Sequence, residues 1–167
     1  MGHEANCEFR PYSCPYPDKG CNWEGALDQV KLHLMQEHKP TPTIATSFYD
    51  CTFRFDDINQ PRVLVGIKSY FGHHFLFWVE KRKEVDGLFC ATVQLIGTEK
   101  QAERFVYKLE LKGQGCRLTM EDKPRSIREG FSSALASCNC LTFTDSTAQL
   151  FTKDGKVEIN FSIRAVN

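Results

Sequence analysis

Two cysteines and two histidines near the start of the chain have a spacing that could hold a metal ion. Cys14, Cys21, His33 and His38 form the pattern C-x6-C-x11-H-x4-H. Zinc prefers four sulfur and nitrogen ligands in a tetrahedron, which two cysteines on a turn and two histidines on a helix can supply. The gap between the cysteines is wider than in common fingers, so unrelated thiols beside surface histidines are the alternative. We expect a zinc site.

A second pair of residues could form part of another metal site. His3 and Cys7 form H-x3-C, which is typical of the second half of a finger, and the first two ligands of that finger are absent from this sequence. We therefore expect a partial site there. Cys138 and Cys140 are close together, but no histidine lies within 60 residues of them, so they do not indicate a further zinc site.

Composition and charge narrow the class of protein. The chain has 167 residues, with 21 Lys and Arg against 21 Asp and Glu, so bulk charge gives no attraction to nucleic acid or to an anionic membrane. It has no apolar stretch long enough to span a membrane and no visible secretory signal. We expect a location in the cytoplasm, with the nucleus as a second location. Three of the eight cysteines lie in the first 21 residues and His33 and His38 follow; in a reducing compartment this clustering favours metal binding over disulfides.

The pattern of apolar residues and prolines changes near residue 40. Residues 26–38 carry apolar side chains at helical spacing, at Leu27, Val30 and Leu34. Prolines in the stretch 39–43 disfavour helix and predict an extended linker. We expect a zinc finger over residues 1–39 and a second domain over residues 40–167.

The sequence pattern of the second domain predicts a β-sandwich. Residues 105–111 and 157–163 alternate between apolar and polar side chains, as half-buried strands do. Residues 74–79 and 88–96 are apolar on both faces, as central sandwich strands would be. Further short strands are expected over residues 51–55, 62–67, 116–120 and 141–144. The fold class is mainly β: about eight antiparallel strands, with one helical interruption over residues 126–136.

The last predicted strand, residues 157–165, indicates how the chain assembles. Residues 157–165 alternate cleanly, lie near the end of the sequence, and carry only Glu158 and Arg164 as charges. We expect this strand at an open sheet edge, which a two-fold pairing would cover, and hence a homodimer.

Longer motifs resemble the Siah (seven in absentia) family of RING ubiquitin ligases. The stretch CEFRPYSCP at residues 7–15, together with the metal-binding pattern, resembles that family's second zinc finger. In the sandwich, SYFGHHF at residues 69–75 and VQLIGTEKQAE at residues 93–103 resemble stretches of its substrate-binding domain. The matches run in order from His3 to near the C-terminus.

The resemblance implies a fold, a metal and partners. It implies zinc ligands at Cys14, Cys21, His33 and His38, and the last two ligands of a preceding finger at His3 and Cys7. It implies an eight-stranded TRAF-like sandwich that dimerises and captures target proteins by short Pro-x-Ala-x-Val-x-Pro-like peptides, which add as a strand. A RING, which this sequence lacks, recruits the ubiquitin-conjugating enzyme in the family. No catalytic chemistry is expected in this chain itself.

The resemblance also places a peptide groove. Its edge falls at Thr43 and Ile44, and its strand at Val63, Leu64 and Val65. In the family's pattern, a groove tryptophan and methionine stand where this chain has Leu64 and Gly66, so the motif preference does not carry over directly.

Two other functions remain open at this point. A scaffold or competitor without a RING would bind partners without ubiquitinating them, and only sequence upstream would separate it from a ligase. A nucleic-acid-binding finger needs a basic helix face, whereas this helix sets Lys31 against Asp28 and Glu37. The charge pattern therefore disfavours nucleic acid as a partner.

Overall fold

The chain forms a small finger followed by a two-sheet sandwich. The computed structural model describes residues 9–16, 20–42, 44–45, 50–59, 62–82, 87–130 and 140–166. This arrangement confirms the mainly β class, with the metal-binding residues in the finger. No helix in the described ranges is long and apolar enough to cross a membrane.

The finger contains one short hairpin and one helix. Strand β1 (Tyr12–Ser13) pairs antiparallel with β2 (Glu24–Gly25). Helix α1 (Leu27–His33) continues directly into a π-helical turn, Leu34–His38. The helix predicted over residues 26–38 is therefore present, and its last turn is wider than an α-helical one.

The first sheet of the sandwich is built around a long hairpin. Its members are β5 (Val63–Tyr70), β6 (His73–Lys81), β7 (Leu88–Ile96), β10 (Arg125–Ser126) and β11 (Leu141–Thr144). Strand β6 lies between β5 and β7, and the short strands β10 and β11 both pair with the other side of β7. The β10 pairing is parallel, which differs from the purely antiparallel sandwich predicted from sequence.

The second sheet has a simple linear order. In space the strands follow as β3 (Ile44–Ala45), β4 (Asp50–Phe55), β12 (Val157–Ala165), β8 (Phe105–Lys112) and β9 (Arg117–Asp122). Short helices α2 (Glu99–Ala102) and α3 (Asp145–Gln149) join strands at the ends of the sandwich. Within the described ranges, the sandwich holds eight strands of four or more residues, in line with the predicted number, and two strands of two residues.

The prediction that residues 157–165 form an open edge is wrong. Strand β12 pairs with β4 on one side and with β8 on the other, so it lies inside its sheet. Ser162, for example, has Asp50 and Lys108 as its neighbours across the two ladders. Alternation reports which faces of a strand are buried, and it does not report how many neighbours the strand has.

The helix expected over residues 126–136 begins differently. Strand β10 and a single 3-10 turn, Ile127–Glu129, occupy the start of that stretch. Ser126 caps the N-terminal end of this turn, because its side-chain oxygen accepts from the N–H of Arg128 at 3.1 Å. The remainder of the predicted helix lies outside the described residues.

Two separate apolar clusters hold the structure together. The larger fills the space between the sheets and is rich in aromatic rings, such as Phe53, Phe77 and Phe161. The smaller lies between the finger and the outer face of the first sheet. Its buried members are Tyr12, Val30, Leu34, Val65, Leu76, Trp78, Ile96 and Ile127.

The smaller cluster explains why β6 is apolar on both faces. Phe75, Phe77 and Val79 point between the sheets, while Leu76 and Trp78 point outward and are fully buried by the finger. From the sequence, the two apolar faces predicted a central strand of the sandwich. The division into independent domains at residue 39 stays a prediction.

Candidate metal centre

The finger hairpin positions the two cysteines. Cys14 directly follows β1, and Cys21 lies on the chain leading into β2. The N–H of Cys14 donates to the carbonyl oxygen of Trp23 at 3.0 Å, which ties the two arms of the loop together. Both thiols are therefore held on the same side of the hairpin, facing the helix.

The wide last turn of the helix positions the two histidines. His33 ends α1, and His38, five residues later, ends the π-helical turn. In an α-helix a residue five positions on is rotated well away from the first, since 3.6 residues complete a turn. The wider π-helical turn brings residue i+5 back to the same face, so both imidazoles meet the cysteines.

The four ligand atoms lie at separations close to those in a tetrahedral zinc site. All four lie within 4.8 Å of one another. The distance is 3.2 Å from Cys14 Sγ to His38 Nε2, 3.4 Å from Cys21 Sγ to His33 Nε2, and 3.2 Å between the two Nε2 atoms. Zinc bond lengths of about 2.3 Å to sulfur and about 2.0 Å to nitrogen give ligand separations of about 3.3–3.8 Å in a tetrahedron. The donor set fits zinc, which is confirmed as the expected cofactor.

Aromatic rings fix the orientation of both imidazoles. Trp23 stacks on His33 with ring centroids 4.4 Å apart, and Tyr16 stacks on His38 at the same separation. Gly25 makes room for this arrangement, because a Cβ there would lie 2.5 Å from the Trp23 ring. Such outer contacts hold metal ligands in place.

The electrostatics of the site favour the neutral imidazole that binds metal. Burial lowers the pKa of His33 below its usual value, and the neighbouring His38 lowers it further. Metal binding requires deprotonated ligands, so this shift reduces the competition between protons and zinc. When bound, zinc supplies a structural cross-link that joins the hairpin to the helix.

Most of the other candidate metal residues fall in parts of the chain that the structure does not describe. His3, Cys7 and Cys138 lie outside the described residues. Within the described ranges, Cys14, Cys21, His33 and His38 are the only cluster of three or more His, Cys, Asp or Glu side chains able to share an ion. Cys140 is buried beside Cys90.

Those predicted peptide-groove residues whose side chains the structure describes differ in burial. Val63 is exposed, and Leu64 is half-buried against the cluster between the sheets. The side chain of Val65 is buried under the finger. Thr43 lies outside the described residues, and Ile44 pairs with Thr52 in the second sheet.

The sequence did not indicate that Thr41 lies at the outer edge of β5. Its N–H donates to the carbonyl oxygen of Val65 at 2.6 Å, and its hydroxyl oxygen accepts from the Val65 N–H at 3.4 Å. The linker thus pairs with the outer edge of β5. The prolines on either side of Thr41 indicated an extended segment, but nothing in the sequence indicated its partner.

The fold and site define a zinc finger joined to a TRAF-like sandwich. The family model "Sina, zinc finger" matches residues 1–55, and the model "Sina, TRAF-like domain" matches residues 68–162. The chain belongs to the Sina family.

Named relatives extend the similarity over nearly the whole chain. The chain is 48% identical to the E3 ubiquitin-protein ligase sina of Drosophila melanogaster over an alignment of 168 positions, which covers 98% of this chain and 53% of that protein. It is 46% identical to the ligase of the same name from Schistosoma mansoni, covering 99% of the chain and 45% of that protein. Human E3 ubiquitin-protein ligase SIAH2 is 46% identical, with coverage of 96% and 50%. The chain thus spans about half the length of these relatives.

Proposed function

We propose that this chain is the substrate-recognition region of a Siah-type E3 ubiquitin ligase. It binds short degron peptides of target proteins, so that a conjugating enzyme recruited by a RING can ubiquitinate them for proteasomal degradation. Similarity to proteins named as E3 ligases, along nearly all of this chain, supports the proposal. We place this activity in the cytoplasm and, as a second location, the nucleus.

The structural observation that carries peptide binding is the edge of β5. This strand ends the first sheet among the described residues, and its backbone groups at Val63, Val65, Ile67 and Ser69 point away from β6. Thr41 already pairs with Val65, and this pairing supports recognition of an extended segment at the same edge. A peptide strand can extend that line or replace Thr41, as in recognition by β-strand addition.

The first test concerns peptide affinity. Leu64 and Gly66 stand where the family pattern has tryptophan and methionine, so the groove has less apolar wall. Burial is worth roughly 25 cal/mol per Å², so losing about 100 Å² weakens binding by about 2–3 kcal/mol. In calorimetric titration with a Pro-x-Ala-x-Val-x-Pro peptide, we expect affinity tens-fold below that of a family member with the usual groove.

A matched pair of variants sharpens this test. Leu64→Trp restores one wall of the groove and should tighten peptide binding. Leu150→Trp makes the same replacement at an exposed site outside β5 and should leave affinity unchanged. Affinity equal to that of the usual groove in the unmodified chain would contradict the placement of Leu64 and Gly66.

We further propose that the chain forms a homodimer through β9. This strand ends the second sheet among the described residues, and exposed edges of sheets need to be covered or paired. The N–H of Gly113 donates to the carbonyl oxygen of Cys116 in the β8–β9 hairpin. This bond determines which residues of β9 direct their backbone N–H and C=O groups toward β8 and which direct them outward. By that alternation, the backbone groups of Arg117, Thr119 and Glu121 point outward, where a second copy can pair antiparallel.

Sedimentation tests the dimer. The unmodified chain should show about twice its mass of 19.1 kDa. Thr119→Pro removes an outward N–H without breaking the ladder to β8, so it should give a monomer. Thr119→Val also removes the hydroxyl contact to Glu110 but keeps the N–H, and it should stay dimeric. A monomer in the unmodified chain at concentrations up to about 100 μM would contradict this proposal.

A further inference from the structure

The join between finger and sandwich carries two adjoining cavities. One, of about 550 Å³, lies between Phe9 and Tyr12 of the finger and the α2 region of the sandwich. The other, of about 450 Å³, extends from there to the β5–β6 hairpin at Gly72. Leu27 and Gln101 line both cavities, so the two are direct neighbours on the surface. We call the two cavities together the seam groove.

The seam groove exposes apolar surface. Phe9 is 93% exposed and is the most exposed large apolar side chain among the described residues. Leu27 and Ile96 line the groove beside the tight hairpin turn of Phe71 and Gly72, and Phe71 is itself 43% exposed. Phe71 has φ 54°, a left-handed conformation that is rare for an aromatic residue. Exposed apolar surface beside a groove is typical of an interaction site.

The rim of the seam groove is cationic, although the chain as a whole is neutral. Lys100 and Arg104 are exposed, and neither makes an ion pair within the described part of the chain. Asp28 is the only acidic residue that lines either cavity. Burial lowers the pKa of His73, and the positive charge of Arg104 lowers it further. A carboxylate in the groove would relieve this excess of positive charge.

We propose that the seam groove binds an acidic segment of a partner protein that carries one apolar anchor residue. The anchor enters between Phe9 and Leu27, and the carboxylates flank it beside Lys100 and Arg104. Nucleic acid is disfavoured, because a phosphate backbone needs a longer track of cations than these two and gains little from an apolar floor. This site is separate from the edge of β5, so it does not depend on the degron groove.

The test uses the zinc-loaded chain and two short peptides. One is an N-acetylated, C-amidated Glu-Glu-Phe-Leu-Glu-Glu, and the other has lysine at every glutamate position. We expect the acidic peptide to shift the backbone NMR signals of Leu27, Gln101 and Gly72, and the lysine peptide to leave them unchanged. Affinity should fall as salt rises, because the Debye length shortens from about 10 Å at 0.1 M to about 3 Å at 1 M.

Charge-reversal variants locate the site. Lys100→Glu with Arg104→Glu should weaken binding of the acidic peptide about tenfold or more, since two favourable charge contacts become repulsive. Lys123→Glu with Lys153→Glu changes the net charge equally at exposed positions outside the groove, so affinity should be unchanged. Phe9→Ala should also weaken binding while leaving the fold intact.

Three results would overturn the proposal. Equal loss of affinity in both charge-reversal variants would mean that only net charge matters. Displacement of the peptide by an oligonucleotide of eight thymidines would indicate a general anion or nucleic-acid site. Signal shifts confined to β5 would mean that the peptide occupies the degron groove. Failure of the Pro-x-Ala-x-Val-x-Pro titration would leave this test unaffected. Neither the residues whose NMR signals are followed nor the residues that are substituted lie in β5.

Discussion

Replacing Cys21 with serine is expected to abolish zinc binding, unfold the finger and leave the sandwich folded but with a bare apolar face. Structural zinc contributes apparent binding energies of about 10–16 kcal/mol in finger peptides, and small modules of this kind do not fold without it. The sandwich keeps its own core between the sheets. Without the finger, however, Leu76 and Trp78 on its outer face lose their cover.

Three measurements check this outcome. Metal analysis should fall from one zinc per chain to none, hydrogen exchange should accelerate in α1 but not in β12, and binding of a hydrophobic dye should rise. Cys116→Ser is the matched control, because Cys116 is an exposed free thiol outside the metal site, and it should change none of the three. One zinc per chain retained in the Cys21→Ser variant would contradict the assignment of the metal centre.

The metal ligands could be predicted because their chemistry is local. Two cysteines and two histidines within 25 residues leave few alternatives to zinc, and the structure brings all four side chains together. The offset of five residues between His33 and His38 is itself a sign of a widened turn, since an α-helix would not place both on one face.

The strands could be predicted better than their neighbours. Period-two alternation correctly placed residues 105–111 and 157–163 in strands, because it follows from one face packing against a core. It could not show that β12 is flanked by β4 and β8, since pairing depends on where distant segments return. The end strand β9 reads as an ordinary short strand, so its edge position also escaped prediction.

The docking of the finger on the sandwich was not visible in the sequence either. Leu76 and Trp78 made β6 look like a strand buried inside a sandwich, and their actual cover comes from Val30 and Leu34 on the finger. Polar contacts supplement this packing. Lys31 donates to Ser69 at 3.4 Å, and the guanidinium of Arg128 lies 4.3 Å from the ring centroid of Tyr12.

Replacing Trp78 with alanine should therefore reveal how strongly finger and sandwich support each other. Trp78 is fully buried in the cluster between them, and removing a buried tryptophan typically costs about 3–5 kcal/mol of unfolding free energy. Because the lost contacts join the two parts, the finger should also open more often. We expect a lower midpoint in urea and faster loss of zinc to a chelator.

Phe71→Ala provides the matched control, because it also removes an aromatic ring, at a half-exposed position away from this cluster. Exposed substitutions usually change stability by less than about 0.5 kcal/mol, so this variant should lose zinc at the unmodified rate. If Trp78→Ala lowers stability but leaves the rate of zinc loss unchanged, the finger holds its metal without help from the sandwich. The cluster would then stabilise only the outer face of the first sheet, and the coupling argued from it would be wrong.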